Sequence, residues 1–246
     1  MKRGLGVIAF MMMTVVLSAQ QYIGSTGLIH VPTAEMDTVG MARVGAHYIP
    51  ETMIPNDIAK DGNQQWSLTN YLAITPFRWI YLSYGYTLWR CHKNLNPNAE
   101  MGFYSKDRYF SLRLQPIQEG EWWPAVAIGG NDVIGSNDSG KSESFHYQNF
   151  YVSTSKHFEL WNCLNLGTHA TYRKWRNNNN HRWNGLVGGV TLSPVSIPNL
   201  RVLAEWDGSR VNVGADYRAF KYFLVQASLI DGSKFAGGLS LMIPLI

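Results

Sequence analysis

The stretch Trp79-Ile80-Tyr81-Leu82-Ser83-Tyr84-Gly85-Tyr86-Thr87-Leu88-Trp89 constrains this chain most. Its even positions are Ile80, Leu82, Tyr84, Tyr86 and Leu88, and its odd positions include Tyr81, Ser83, Gly85 and Thr87. Such alternation makes a β-strand with one greasy face and one mixed, smaller face. About ten residues with an aromatic at each end is the dressing of a strand crossing a bilayer at a tilt. The pattern recurs to the last residue. From Met41 it predicts twelve strands, near 41–49, 65–75, 80–89, 108–116, 124–132, 146–156, 162–174, 183–192, 199–207, 210–218, 222–230 and 234–244.

The connections support this. Those near 76–79, 117–123, 157–161, 193–198 and 219–221 are short or Pro-marked, whereas 50–64, 90–107, 133–145 and 175–182 are longer and polar. Tight Gly208-Ser209 and Gly232-Ser233 turns close the last two hairpins on the long-loop side. Short turns at one end and longer loops at the other is the asymmetry of outer-membrane barrels. All nine tryptophans fall near strand ends, where a barrel places them at the membrane interfaces. The expected fold is all-β: a single antiparallel transmembrane β-barrel of about twelve strands over residues 41–246. A short irregular segment, 21–40, carrying Gly24, Gly27, Pro32 and Gly40, is expected to dock at the barrel mouth or plug it.

Residues 1–20 read as a signal peptide. Lys2 and Arg3 precede an apolar run from Ile8 to Leu17, and Ser18-Ala19-Gln20 fits a cleavage region. No later run reaches the roughly 18 apolar residues a transmembrane helix needs. Without Lys2 and Arg3 the net charge falls from +4 to +2, which argues against a nucleic-acid partner. Charged residues make up 15%, under the roughly 25% of soluble domains. Cys91 and Cys163 are too few for a disulfide scaffold, and the predicted topology puts them at opposite barrel ends.

The polar face carries the candidate site. Arg43, His47, Arg113, His169, Arg173, Arg201, Glu205, Arg210, Asp216 and Arg218 share parity with the small or polar side of their strands. With apolar faces toward lipid, these residues line the lumen. They would either fill it with ion pairs or form a polar conduit, since Arg suits anionic and hydroxyl-rich chains. A two-residue Gly208-Ser209 loop sets Glu205 against Asn212 and Arg201 against Asp216. The seven histidines, at 30, 47, 92, 146, 157, 169 and 181, show no HxxxH spacing, so no metal is expected. A triad drawn from Ser153, His169 and Glu205 has no support in spacing, and Asn177–Asn180 reads as a solvated loop.

One ordered series of motifs resembles the YjbH-type outer-membrane proteins. It opens with Gly27-Leu28-Ile29-His30-Val31-Pro32-Thr33-Ala34-Glu35 and continues with Thr75-Pro76-Phe77. Glu119-Gly120-Glu121-Trp122-Trp123-Pro124-Ala125 follows, then Gly129, Asp132, Gly135 and Ser155-Lys156, with Glu205 like the acidic residue of a later strand. The resemblance spans roughly residues 24–230. It implies an outer-membrane barrel associated with exopolysaccharide production at the export or assembly step. Neither catalysis nor a cofactor is expected. Expected partners are outer-membrane lipid, a polysaccharide and periplasmic export proteins. A general small-solute channel and a membrane-embedded lipid- or polysaccharide-modifying enzyme are the alternatives.

Overall fold

A computed structural model describes residues 20–56, 65–135, 145–176 and 178–245. Nearly all of the expected signal peptide lies outside them, as do Asn177 and the Asn137–Gly140 turn cluster. Twelve antiparallel strands are found among the described residues: β1 Met41–Ile49, β2 Ser67–Phe77, β3 Ile80–His92, β4 Met101–Ile117, β5 Ala125–Gly135, β6 Asn149–Leu160, β7 Leu164–Trp175, β8 Gly185–Pro194, β9 Leu200–Trp206, β10 Val211–Ala219, β11 Phe223–Ile230 and β12 Lys234–Pro244. Each pairs with its sequence neighbour, and β1 pairs with β12, so the sheet closes and leaves no edge. Among the described residues no helix is long and apolar enough to cross a membrane.

Alternation decides which side each residue faces. In β3, Tyr81, Ser83, Gly85 and Thr87 are buried, and their alternates are more open. In β11, Phe223, Val225, Ala227 and Leu229 are exposed while Leu224, Gln226, Ser228 and Ile230 are buried. Polar groups thus collect inside and hydrocarbon outside, the reverse of a soluble core. The β9–β10 register is the one the two-residue loop dictates, with Glu205 opposite Asn212 and Arg201 opposite Asp216.

Several boundaries differ from expectation. The expected loop at 90–107 is mostly strand, because β3 runs on to His92 and β4 begins at Met101. Pairing continues past a bulge at Trp89/Cys91, so Cys91 lies within β3. The turn expected at 157–161 shifts to 161–163. Trp161 and Asn162 adopt positive φ there. Both cysteines are free thiols.

The tryptophans divide. Trp79, Trp122, Trp123, Trp161 and Trp206 are exposed as an interfacial girdle requires, but Trp89, Trp175 and Trp183 are buried in the lumen cluster. The correction has a simple cause. Trp89 shares parity with Ser83, Gly85 and Thr87, and Trp175 with His169, Thr171 and Arg173, so both must point inward.

The lumen is narrow enough that glycines are needed opposite its tyrosines. Gly45 pairs with Tyr71, Gly85 with Tyr109 and Gly129 with Tyr151. In each pair the ring lies over the glycine, where an added Cβ would meet ring atoms at 2.5 Å or less. Cross-strand aromatics over glycine are a register-fixing device. Here they also leave axial room for another segment.

Candidate functional site

That room is taken by the N-terminal segment. Residues 20–35 are buried without interruption, running from the short-turn end toward the long-loop end and back to Glu35 and Asp37. Backbone bridges Gln20–Thr26 and Gly27–Pro32 fold the segment on itself. The segment is therefore a plug.

At the tip the Glu205 carboxylate accepts three backbone N–H groups, from Ile29 at 3.0 Å, His30 at 2.9 Å and Val31 at 3.0 Å. Asn212 Nδ2, its cross-strand partner, donates to the same carboxylate at 2.8 Å. Arg173 donates to the His30 carbonyl and ring Nδ1, both at 2.8 Å, and to the carbonyls of Trp183 and Asp207, both at 2.7 Å. The His30 ring stacks on Tyr22 and Trp175 at centroid distances of 5.0 and 5.9 Å. Burial, reinforced by Arg173 and Arg182, holds its pKa well below the usual histidine value. A neutral ring accepting at Nδ1 donates through Nε2 to the Tyr22 hydroxyl, 3.1 Å away.

Midway, Arg113 donates to the carbonyl and hydroxyl of Thr26 and, at 2.8 Å, to the Glu35 carbonyl. Its guanidinium sits near the rings of Tyr81 and Tyr151, 5.8 and 5.6 Å from their centroids. Thr171 and Ser153 donate to the Pro32 carbonyl, Ser155 accepts from the Ala34 N–H, and Gln115 donates to the Ala34 carbonyl. Ser155, and not Ser153, contacts His169, at 2.9 Å.

At the short-turn mouth, Glu35 meets Arg201 at 3.3 Å, and Arg201 meets Asp216 at 2.8 Å. Asp37 meets Arg43 at 2.5 Å. Burial alone would raise the Glu35 pKa, but Arg201, His169 and His157 hold it well below the usual carboxylate range. Glu119, on the β4–β5 turn, reaches Lys156 at 3.0 Å and His157 at 2.7 Å. Beside this cluster opens a cleft of about 300 Å³ lined by Glu35, Asp37, Arg78, Gln115, Glu119 and His157. The interior gap between Tyr22, His47 and Gln226 is only about 10 Å³, at the lower limit for one water.

Of the predicted lumen residues, Arg43, Arg113, Arg173, Arg201 and Glu205 bond directly to the plug, and Asp216 fixes Arg201. His169 is buried beside Glu35, and His47 packs edge-on to Tyr71. Arg218 is half-buried. Arg210 shares parity with the buried Asn212 and Asp216. It ends the β9–β10 turn, half-buried, where its backbone N–H donates to Asp207. Arg113 and Arg173 are engaged by plug and wall groups.

The motif residues fall on the same contacts. Leu28, Pro32 and Thr33 belong to the buried plug, and at Gly27 a Cβ would meet the Val31 carbonyl at 2.6 Å. Pro76 lies in the β2 bulge, Pro124 precedes β5, and Gly129 carries Tyr151. Asp132, at positive φ, accepts the Tyr147 N–H, Gly135 ends β5, and Lys156 binds Glu119. Sequence reasoning did not single out Thr26, Asp37 or His157, and it placed His30, Glu35 and Glu119 in the motif series without their contacts. An irregular segment has no periodicity to assign its side chains. Glu35, His157 and His169 converge from distant parts of the chain, their ligating atoms within 4.8 Å of one another.

The profile of the YjbH family, described as exopolysaccharide biosynthesis protein YbjH, matches residues 19–189. The chain belongs to this family. No curated protein sequence matches it significantly. Among solved structures, outer membrane phospholipase A from Escherichia coli aligns at 11% identity over 84% of this chain and 96% of that one, with a TM-score of 0.40. The Salmonella typhi outer membrane phospholipase, solved as a dimer with bound calcium, aligns at 11% identity over 83% and 90%, TM-score 0.39. An outer membrane channel from Pseudomonas putida F1 aligns at 10% identity over 87% and 99%, TM-score 0.42. Such identities show the fold alone. The chain is a closed twelve-strand β-barrel with an apolar outer face. The expectation that it is not an enzyme is corrected by the same matches. Structures described as phospholipases are among them.

Proposed function

We propose that this YjbH protein acts in surface exopolysaccharide production at the export or assembly step, as a barrel gated by its own N-terminal plug. Family membership carries the reading. The filled lumen supports gating over free diffusion, since residues 20–35 are buried against the wall. In this reading residues 1–20 are a cleaved signal peptide, and the short-turn end faces the periplasm. Outer-membrane lipid surrounds the exposed aliphatic band, and periplasmic export proteins approach the cleft beside Glu119. The tip latch at Glu205 and Arg173 and the mouth latch at Arg201 must then open for a polymer to pass.

Deleting the gene is expected to lower surface polysaccharide while the membrane stays intact. Normal surface polysaccharide in the deletion strain, under conditions that express the gene, would overturn the proposal. Proteoliposomes of the intact protein should swell no faster in small sugars than empty liposomes, and fast swelling would favour a general solute channel.

A further inference from the structure

Three side chains at the plug mouth form a group that the latch alone does not require. Glu35 comes from the plug, His157 from β6 and His169 from β7, and their ligating atoms lie within 4.8 Å of one another. Glu35 Oε1 is 3.2 Å from His157 Nε2. On its other side the His157 ring is held through Nδ1 by Glu119 Oε2, at 2.7 Å. The Nδ1 of His169 is held likewise by the Ser155 hydroxyl at 2.9 Å, and its Nε2 meets the Thr191 hydroxyl at 3.3 Å. A polar partner on the far nitrogen of each imidazole is the outer-shell arrangement that orients metal-binding histidines.

We propose that Glu35, His157 and His169 form a site for a divalent first-row transition-metal ion of the Zn²⁺ type, which clamps the plug to the barrel wall. Two imidazoles and one carboxylate are a three-ligand set that such ions take, leaving a further position for water. Here that position opens on the cleft of about 300 Å³ that Glu35 and His157 line. The second Glu35 oxygen is engaged by Arg201 at 3.3 Å and Thr33 at 3.2 Å, so a single oxygen faces the ion. Charge permits a cation. The His157 ring lies between two carboxylates, Glu35 and Glu119, which favours a cation there. Ligands of a tetrahedral ion lie about 3.4 Å apart. The His157–Glu35 pair, at 3.2 Å, already meets that spacing, and His169 needs to close by at most about 1.4 Å. The inference does not depend on the polysaccharide reading.

The test uses the full-length folded protein in detergent, stripped with a chelator and titrated with Zn²⁺ alone. Metal analysis after gel filtration gives stoichiometry, and competition with a chromophoric chelator gives affinity. One Zn²⁺ per chain is expected, with affinity at least tenfold weaker in His169→Gln and in Glu119→Gln. His181→Gln, in the exposed β7–β8 loop, is expected to leave it unchanged. Heat-modifiable gel migration verifies the fold of each variant. Should His169→Gln fail to fold, His157→Gln, at a partly exposed position, carries the test. Absence of stoichiometric Zn²⁺ in the wild-type protein, or undiminished affinity in folded His169→Gln or His157→Gln, would overturn the proposal.

Discussion

Arg201 holds the most consequential single position in the mouth. It neutralises Asp216 on the wall and Glu35 on the plug at once, with all three side chains buried. Arg201→Met would leave Asp216 without its ion-pair partner and Glu35 with His157 alone, and breaking a buried pair from one side costs about 3–5 kcal/mol. Unfolding in detergent, followed by tryptophan fluorescence, should show a loss of that order. A change under about 1 kcal/mol would mean that water already solvates the group. Gly85 is sensitive for a steric reason. A Cβ there would lie 2.2 Å from the Tyr109 ring, which is held by the Thr87 hydroxyl at 3.2 Å and the Ile23 carbonyl at 3.3 Å. Gly85→Ala should therefore destabilise by about 1–3 kcal/mol. Trimming the ring as well, in Gly85→Ala/Tyr109→Leu, should recover part of the loss in the same assay.

The plug is the element on which these residues act. Its mouth contact has a definite pH dependence. The folded Glu35 pKa is depressed because the favourable effect of Arg201 and the nearby histidines exceeds the burial cost. A depressed carboxyl contributes stability above its unfolded pKa, about 4.3, and loses it as pH falls through the lower folded value. In metal-stripped protein, conductance across a planar bilayer should therefore stay low from neutral pH to about pH 4 and rise only in stronger acid. Opening at pH 5 to 6 would place control on another group. Glu205→Ala should loosen the tip at neutral pH, since it strands three backbone N–H groups at about 1–3 kcal/mol each. Limited proteolysis should then cut within 22–35, where the wild-type protein resists. The strands of this molecule were legible in the sequence because alternation in Ile80–Leu88 or Phe223–Ile230 is enforced by lipid on one side and polar lumen on the other. Parity also contained the inward direction of Trp89 and Trp175, which proximity to strand ends obscured. The plug contacts were not legible. Residues 22–35 follow no repeat, and the partners of Glu35 lie 122 and 166 residues away in sequence.

At the scale of the whole molecule, twelve strands close a cylinder without an edge, and the chain's own N-terminal segment fills it. Closure accounts for stability and the plug for the absence of a free path, so the two properties should separate experimentally. The intact barrel should keep heat-modifiable migration when the plug is removed, because the strand ladder does not pass through residues 22–35. The lumen arginines then exchange plug carbonyls for water. The most direct measurement is single-channel recording in planar bilayers, comparing the wild-type protein with a deletion of residues 22–35. The account predicts a silent wild-type barrel and a deletion variant with stable, long-lived conductance. A wild-type protein that conducts as an open pore, or a folded deletion variant that stays silent, would contradict it.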